Sequence, residues 1–164
     1  MTNATTDLPA VAARVAKKLV ARKQTIAIAE SSAGGLISAA LLAIPGASAY
    51  FLGGGVIYTV NAREGLLGVT ASDMTNMRAS TEDYARLLAR RMRVKLGADW
   101  ALSETGATGP TGNRYGDAAG HACFGVSGPK ESSRTLETGS QDRASNMQAF
   151  AHGALMLLDE TLGA

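Results

Sequence analysis

The chain has one cysteine, Cys123, so no disulfide can close within it. Two histidines, His121 and His152, with that single thiol fall short of the Cys/His set that builds a zinc site, and no metal is expected. Charge of one sign is equally scarce. Sixteen Lys and Arg stand against 14 Asp and Glu, a formal +2. That is too little to argue for nucleic acid or an anionic membrane as a partner. No apolar run approaches the ~18 residues of a membrane helix. Residues 1–7 are polar and lack the apolar segment of a secretory signal. A reducing cytoplasm is the setting these absences imply, and a buried structural thiol is the expected state of Cys123.

What is present is a globular composition: 164 residues, 46% hydrophobic and 18% charged, the size of one domain with a core of its own. Asp7 caps a helix whose second residue is Pro9, with Leu8, Val11, Val15, Leu19 and Val20 at helical spacing. Residues 25–29 read as a short buried strand and 36–44 as a helix stopped by Pro45 and Gly46. Residues 49–58 read as a strand, although Gly53, Gly54 and Gly55 mark a bulge or a close backbone approach. Short helices follow over 61–67 and 72–77. An amphipathic helix over 81–97 turns Tyr84, Leu87, Leu88, Met92 and Leu96 inward and carries its arginines outward as a solvated face. A strand over 99–105, a Gly/Thr/Pro loop over 106–120, a hairpin over 118–126 and 133–137, and a helix within 140–162 complete the order. Helix–strand alternation followed by a hairpin predicts one domain: a three-layer α/β/α sandwich on a mixed, mostly parallel sheet of about five strands.

Three segments that follow strands are candidates for chemistry. The turn Glu30-Ser31-Ser32-Ala33-Gly34-Gly35 delivers serines to a helix start, where free N–H groups suit an anion or an oxyanion. On spacing alone a helix-capping role for Ser31 or Ser32 is the favoured reading. The run from Thr105 to Asn113 places small residues, hydroxyls and amides at the carboxyl end of a strand, where open α/β sheets bind ligands. The run from Tyr58 to Arg63 brings a guanidinium suited to phosphate or carboxylate, or to plain solvent.

Together these segments resemble the C-terminal domain of the CinA family, the nicotinamide-nucleotide amidases, in its stand-alone form. The resemblance rests on Ala29-Glu30-Ser31-Ser32-Ala33-Gly34-Gly35, then Gly54-Gly55-Val56-Ile57-Tyr58-Thr59, Gly68-Val69 and Thr81-Glu82. It continues with Thr105-Gly106-Ala107-Thr108-Gly109-Pro110, Gly120 and Asp142-Arg143, and spans about residues 8–162. It implies an α/β/α fold, self-association into a dimer or larger homo-oligomer, and a role in pyridine nucleotide salvage. The implied activity is hydrolysis of the carboxamide of nicotinamide mononucleotide to carboxylate and ammonia, without a cofactor. A serine attacks the amide carbon with a lysine as base. Carried onto this sequence, the catalytic positions are Ser31, Arg63 and Tyr58. The substrate-binding positions are Glu30, Ser32, Gly34, Gly35, Thr105, Gly106, Ala107, Thr108 and Arg143, the phosphate falling to the 105–108 loop and Arg143.

The sequence departs from the family pattern at linked points. The family lysine is Arg63, and a guanidinium holds its proton at any ordinary pH, so it is no general base. The family Ser-Gly-Ile-Ala-Gly-Pro is Thr105-Gly106-Ala107-Thr108-Gly109-Pro110, and a second arginine common after Asp-Arg is Met147. Two readings follow from different classes: an amidase acting on nicotinamide mononucleotide through Ser31, or a CinA-like nucleotide-binding or interaction protein that has lost that activity.

Overall fold

The structure, a computed structural model, describes residues 7–164. The polar start at residues 1–6, read above as lacking a signal, lies outside the described residues. Five helices and five strands follow one another as α1 (Leu8–Arg22), β1 (Ile26–Glu30), α2 (Leu36–Leu42), β2 (Phe51–Val56), α3 (Val60–Leu67), α4 (Glu82–Leu96), β3 (Trp100–Ala107), β4 (His121–Ser127), β5 (Ser132–Glu137) and α5 (Arg143–Leu162). Short 3-10 turns occupy Ala47–Ala49 and Ser72–Met74. Local chemistry sets the helix ends. The side chains of Asp7, Thr59, Thr81 and Asp142 accept from the first-turn amides of α1, α3, α4 and α5, and Gly68 and Gly97 close α3 and α4 in the left-handed region.

The sheet order is β2-β1-β3-β4-β5. β1 pairs in parallel with β2 and β3, while β4 runs antiparallel to β3 and β5 antiparallel to β4. Only β4 is therefore reversed, and the sheet is mixed with one dominant direction, as expected. Period-2 alternation sorts the two faces. Ile26, Ile28, Leu102, Phe124 and Val126 join the core under α1, α2 and α5; Ala27, Ala29 and Ala101 join the core under α3 and α4. Small residues on the second face let α4 lie close. A Cβ at Gly125 would stand 2.6–2.8 Å from backbone atoms of Ala85 and Arg86.

Several boundaries differ from the sequence reading. The strand expected over 49–58 is only Phe51–Val56, because the 3-10 turn holds its first residues and the chain turns before Tyr58. Its register slips between Ile26 and Ala27 of β1, and a Cβ on Gly54 would meet Ser38 Oγ at 2.6 Å. Both observations give the physical reason for the glycine run. The helix expected over 72–77 is a single 3-10 turn. Val20 and Leu96, read as inward, are half-exposed and 39% exposed respectively, since each sits at the margin of its helix's apolar stripe. The arginines of α4 are largely spent on neighbours: Arg86 on Asp83, Arg90 on Glu131 and Arg91 on Asp73.

Candidate functional site

Parallel pairing brings the carboxyl ends of β1, β2 and β3 to one rim, so the three candidate segments meet there. At that rim two glutamates lie side by side on the α2 face of the sheet. Glu30 follows Ile26 and Ile28 on β1, and Glu104 follows Trp100 and Leu102 on β3; both side chains are fully buried. Each is committed to the turn between β1 and α2.

Glu30 starts the helix. Its Oε1 accepts from the Gly35 and Ile37 amides at 2.7 and 3.1 Å. Its Oε2 accepts from the Ser38 amide and hydroxyl at 2.9 and 2.8 Å. No side chain at the N-cap position, Gly35, contributes a bond. The capping role favoured on spacing for Ser31 or Ser32 is thereby corrected: neither caps the helix, and the strand's own last residue does so from below. The sequence reading placed Glu30 among substrate-binding groups. The correction is physical, since both of its oxygens are consumed inside the protein. Gly34 and Gly35 shape the turn through φ values of +68° and +104° and line neither cleft described below.

Glu104 holds the other half of the turn. Its Oε2 accepts from the Ser31 and Ala33 amides at 2.9 and 2.8 Å, and its Oε1 accepts from the Ser32 hydroxyl. Burial pushes its carboxyl above the ordinary glutamate range and the nearby Glu30 charge adds to this, while the bonds from Ser32, Ala33 and Ser31 oppose it. Most of the expected oxyanion donors at the start of α2 are thus already taken, the Ser32 amide excepted. The Ser31, Ala33, Gly35, Ile37 and Ser38 amides bond carboxylates, and those of Gly34 and Leu36 bond carbonyls within the turn.

Two adjacent clefts open on this rim and share Tyr58, Gly106 and Asn113. One, about 270 Å³, is lined by Ser31, Arg63, Thr105 and the rings of Tyr58, Tyr84 and Tyr115. The other, about 230 Å³, is lined by Ser32, Ala107, Thr108 and Arg143. Ser31 and Arg63 therefore meet in one cleft, and Ser32 and Arg143 in its neighbour. The Arg63 guanidinium lies 6.0 Å from the centre of the Tyr84 ring, and its Nε is buried without a partner. Burial raises the Tyr84 phenol, against the pull of Arg63. Arg143 donates to the Gly109 carbonyl at 2.6 Å and to the Tyr58 hydroxyl at 3.3 Å. Among the described residues neither arginine has a carboxylate partner, and the Ser31 hydroxyl has no hydrogen-bonded base. The Thr105 hydroxyl accepts from the Ser80 amide at 3.2 Å, and the Thr108 carbonyl accepts from the buried Asn146 amide at 2.9 Å. These two hold the rim in shape.

The profile of the CinA C-terminal domain matches residues 9–162. The chain belongs to the CinA C-terminal domain family. A CinA-like protein of Chlorobium limicola is 37% identical over 146 residues, 86% of this chain and 34% of that protein. One from Chloroherpeton thalassium is 37% identical over 166 residues, 98% of this chain and 39% of that protein. The chain thus spans about two-fifths or less of the length of these relatives. Among solved structures, a competence-damaged protein (CinA) superfamily protein from Klebsiella pneumoniae superposes with a TM-score of 0.89 at 26% identity, covering 95% of this chain and 98% of that one. A competence/damage inducible protein from Agrobacterium tumefaciens gives a TM-score of 0.87 at 27% identity, covering 94% and 95%.

Within this CinA domain the loop after β3 is tied down in part by Arg78 and Asp117, which the sequence reading passed over. Arg78 forms a two-pronged pair with Asp117 at 2.7 and 3.1 Å and lies 5.1 Å from the Tyr115 ring. The Asn113 side chain accepts from the Tyr115 and Asp117 amides. His121 bonds Glu137 through one ring nitrogen and the Ser80 carbonyl through the other, at 2.8 Å for the latter. Burial opposes its charge, but Glu137, the Ser80 carbonyl and Asp117 outweigh that and raise its pKa. Cys123 is buried and its thiol is pushed up by burial, the inert state expected of it. The main omission is Glu104. Its signal was a carboxylate within an otherwise apolar strand, and a buried charge is more informative than any exposed one. No helix is long and apolar enough to cross a membrane among the described residues.

Proposed function

We infer that this CinA-family chain binds a nicotinamide-mononucleotide-like nucleotide across the two joined clefts and hydrolyses its carboxamide to carboxylate and ammonia. One observation carries the reading. Serine hydroxyls and three guanidiniums without acidic partners among the described residues, Arg63, Arg114 and Arg143, converge at the carboxyl ends of β1, β2 and β3, in adjoining clefts. Together these fall within the ~300–1,000 Å³ range of small-molecule sites. Tyrosine rings line the same space and suit an aromatic base, and Arg63 and Arg143 suit negative charge, a phosphate for the one and a developing oxyanion for the other. Hydroxyl attack on an amide is an established route to an acyl-enzyme.

A second reading is favoured by a specific observation. Arginine at position 63 cannot accept a proton from Ser31, and five amides of the turn and first helical residues already bond Glu30 and Glu104. A site that binds the nucleotide and leaves it intact fits those two facts. Ammonia release from millimolar nicotinamide mononucleotide by the purified protein decides between them, with a thermal-shift titration beside it. Release supports hydrolysis. A thermal shift without release supports binding alone, and neither release nor shift overturns both. Self-association, a cytoplasmic location and a role in pyridine nucleotide salvage belong to the same proposal, the first checked by light scattering at micromolar protein.

A further inference from the structure

Resting on the hydrolase reading above, we propose that Ser32 is the attacking hydroxyl and Glu104 its general base, a buried serine–carboxylate pair that takes the place of a serine–lysine pair. Three observations lead there. First, of the two serines in the turn, only Ser32 hydrogen-bonds a group able to take its proton, Glu104 Oε1. Second, Glu104 is fully buried with no cation paired to it among the described residues, and its remaining oxygen is held by the Ser31 and Ala33 amides. A carboxylate placed so is oriented for one task, since Oε1 has no other partner. Burial also favours its protonated form, which suits a group that must hold a proton for part of each turnover. Third, Ser32 lines the cleft that contains Arg143, whose charge is not cancelled by an acid among the described residues.

The reaction runs in two balanced halves. Ser32 Oγ bonds to the carboxamide carbon while its proton passes to Glu104 Oε1, and the carbonyl oxygen becomes an oxyanion facing Arg143. Collapse re-forms the carbonyl and breaks the C–N bond. The nitrogen takes the proton from Glu104 and leaves as ammonia, with an ester on Ser32. Water then adds to the ester carbon, giving a proton to Glu104. Collapse breaks the ester C–O bond, returns that proton to Ser32 and releases the carboxylic acid, which ionises.

The test uses phenylmethanesulfonyl fluoride, which sulfonylates activated serines, with peptide mass spectrometry to locate the label and ammonia release from nicotinamide mononucleotide measured in parallel. The expected label is on Ser32, is absent in Ser32→Ala and still forms in Ser31→Ala. Glu104→Gln slows labelling by roughly 100-fold or more, the ordinary contribution of a general base. Because Glu104→Gln can also disturb the turn, the pH dependence of labelling of the unmodified protein is a second readout. It rises with pH through a midpoint above the ordinary glutamate range, a response that a purely structural Glu104 would not give. A label on Ser31 with Ser32 unmodified, labelling in folded Glu104→Gln at the original rate, a pH-independent rate, or no label at all overturns the pair. Labelled Ser32 without ammonia release leaves the pair standing and overturns the carboxamide reading; release of ammonia with the label on Ser31 does the reverse.

Discussion

Replacing Glu30 with glutamine removes one negative charge and half of the acceptor capacity that starts α2. The carboxylate accepts four bonds, two on each oxygen, from Gly35, Ile37 and both donors of Ser38. Glutamine keeps one oxygen and turns an NH₂ toward the other pair. The Ser38 hydroxyl can rotate to accept from it, but a backbone N–H cannot, so at least one buried amide loses its partner. A hydrogen bond to a charged group contributes about 1.5–3 kcal/mol net, and an orphaned buried donor costs about 1–3 kcal/mol. Recovery at Ser38 offsets part of this, leaving an expected loss of about 3 kcal/mol. At roughly 2–4 °C per kcal/mol for a chain of this size, the melting temperature falls by about 6–12 °C. Urea unfolding followed by circular dichroism, with an unchanged slope against denaturant, is the assay. A loss under about 1 kcal/mol, accompanied by weaker nucleotide binding, would refute the reasoning, because it would mean that Glu30 faces the ligand after all.

Gly125→Ala drives a methyl into the backbone of α4 at Ala85 and Arg86, and overpacking of this kind costs about 1–3 kcal/mol, read as a lower urea midpoint. Arg63→Ala removes a guanidinium that has no acid to neutralise, so calorimetric affinity for the nucleotide falls about tenfold or more, the worth of one charged hydrogen bond, while stability changes little. His121 has a folded pKa raised above its ordinary 6.5. Its contribution to stability is therefore complete below that value and is lost as pH rises through the folded pKa. The melting temperature should decline over that window in the native protein and stay flatter in His121→Gln; an identical decline in both removes His121 as the cause.

The fold was legible because each level of the sequence agrees with the next. Asp7 and Thr81 mark helix starts that the structure keeps, and Gly97 marks a helix end. The apolar runs after Thr25 and Asp99 become the two central parallel strands. The glycine run at 53–55 was readable as an irregularity, whereas the shortness of β2 was not. That depends on how near α2 and Ser38 come to Gly54, a tertiary fact. The candidate site was legible as a set of three post-strand segments that do meet. Its division of labour was not. Which glutamate holds which amide depends on β1 and β3 lying in register, so that Glu30 and Glu104 share a face. Residues 74 positions apart in the chain leave no spacing pattern for a reader of the sequence. Glu30 was accordingly taken for a ligand group, and Glu104 was passed over in an apolar strand.

That pairing of carboxylates gives the arginine at position 63 a different meaning. With a lysine there, the base would sit where the family pattern puts it. Here two buried carboxylates occupy five amides of the turn and first helical residues, so negative charge developing on a substrate falls largely to side chains. Permanent guanidiniums suit that task, and a lysine able to lose its charge suits it less. Proton acceptance then has to come from an acid, and the one acid hydrogen-bonded to a serine of the turn is Glu104. On this account Arg63 and Glu104 act together, and the link has a measurable form. Arg63→Lys alone should not raise ammonia release, because Glu104 still holds the turn amides. The same substitution combined with Glu104→Val, which frees the Ser31 and Ala33 amides without leaving a buried charge, should shift serine labelling from Ser32 to Ser31. Arg63→Lys raising release on its own would break the link.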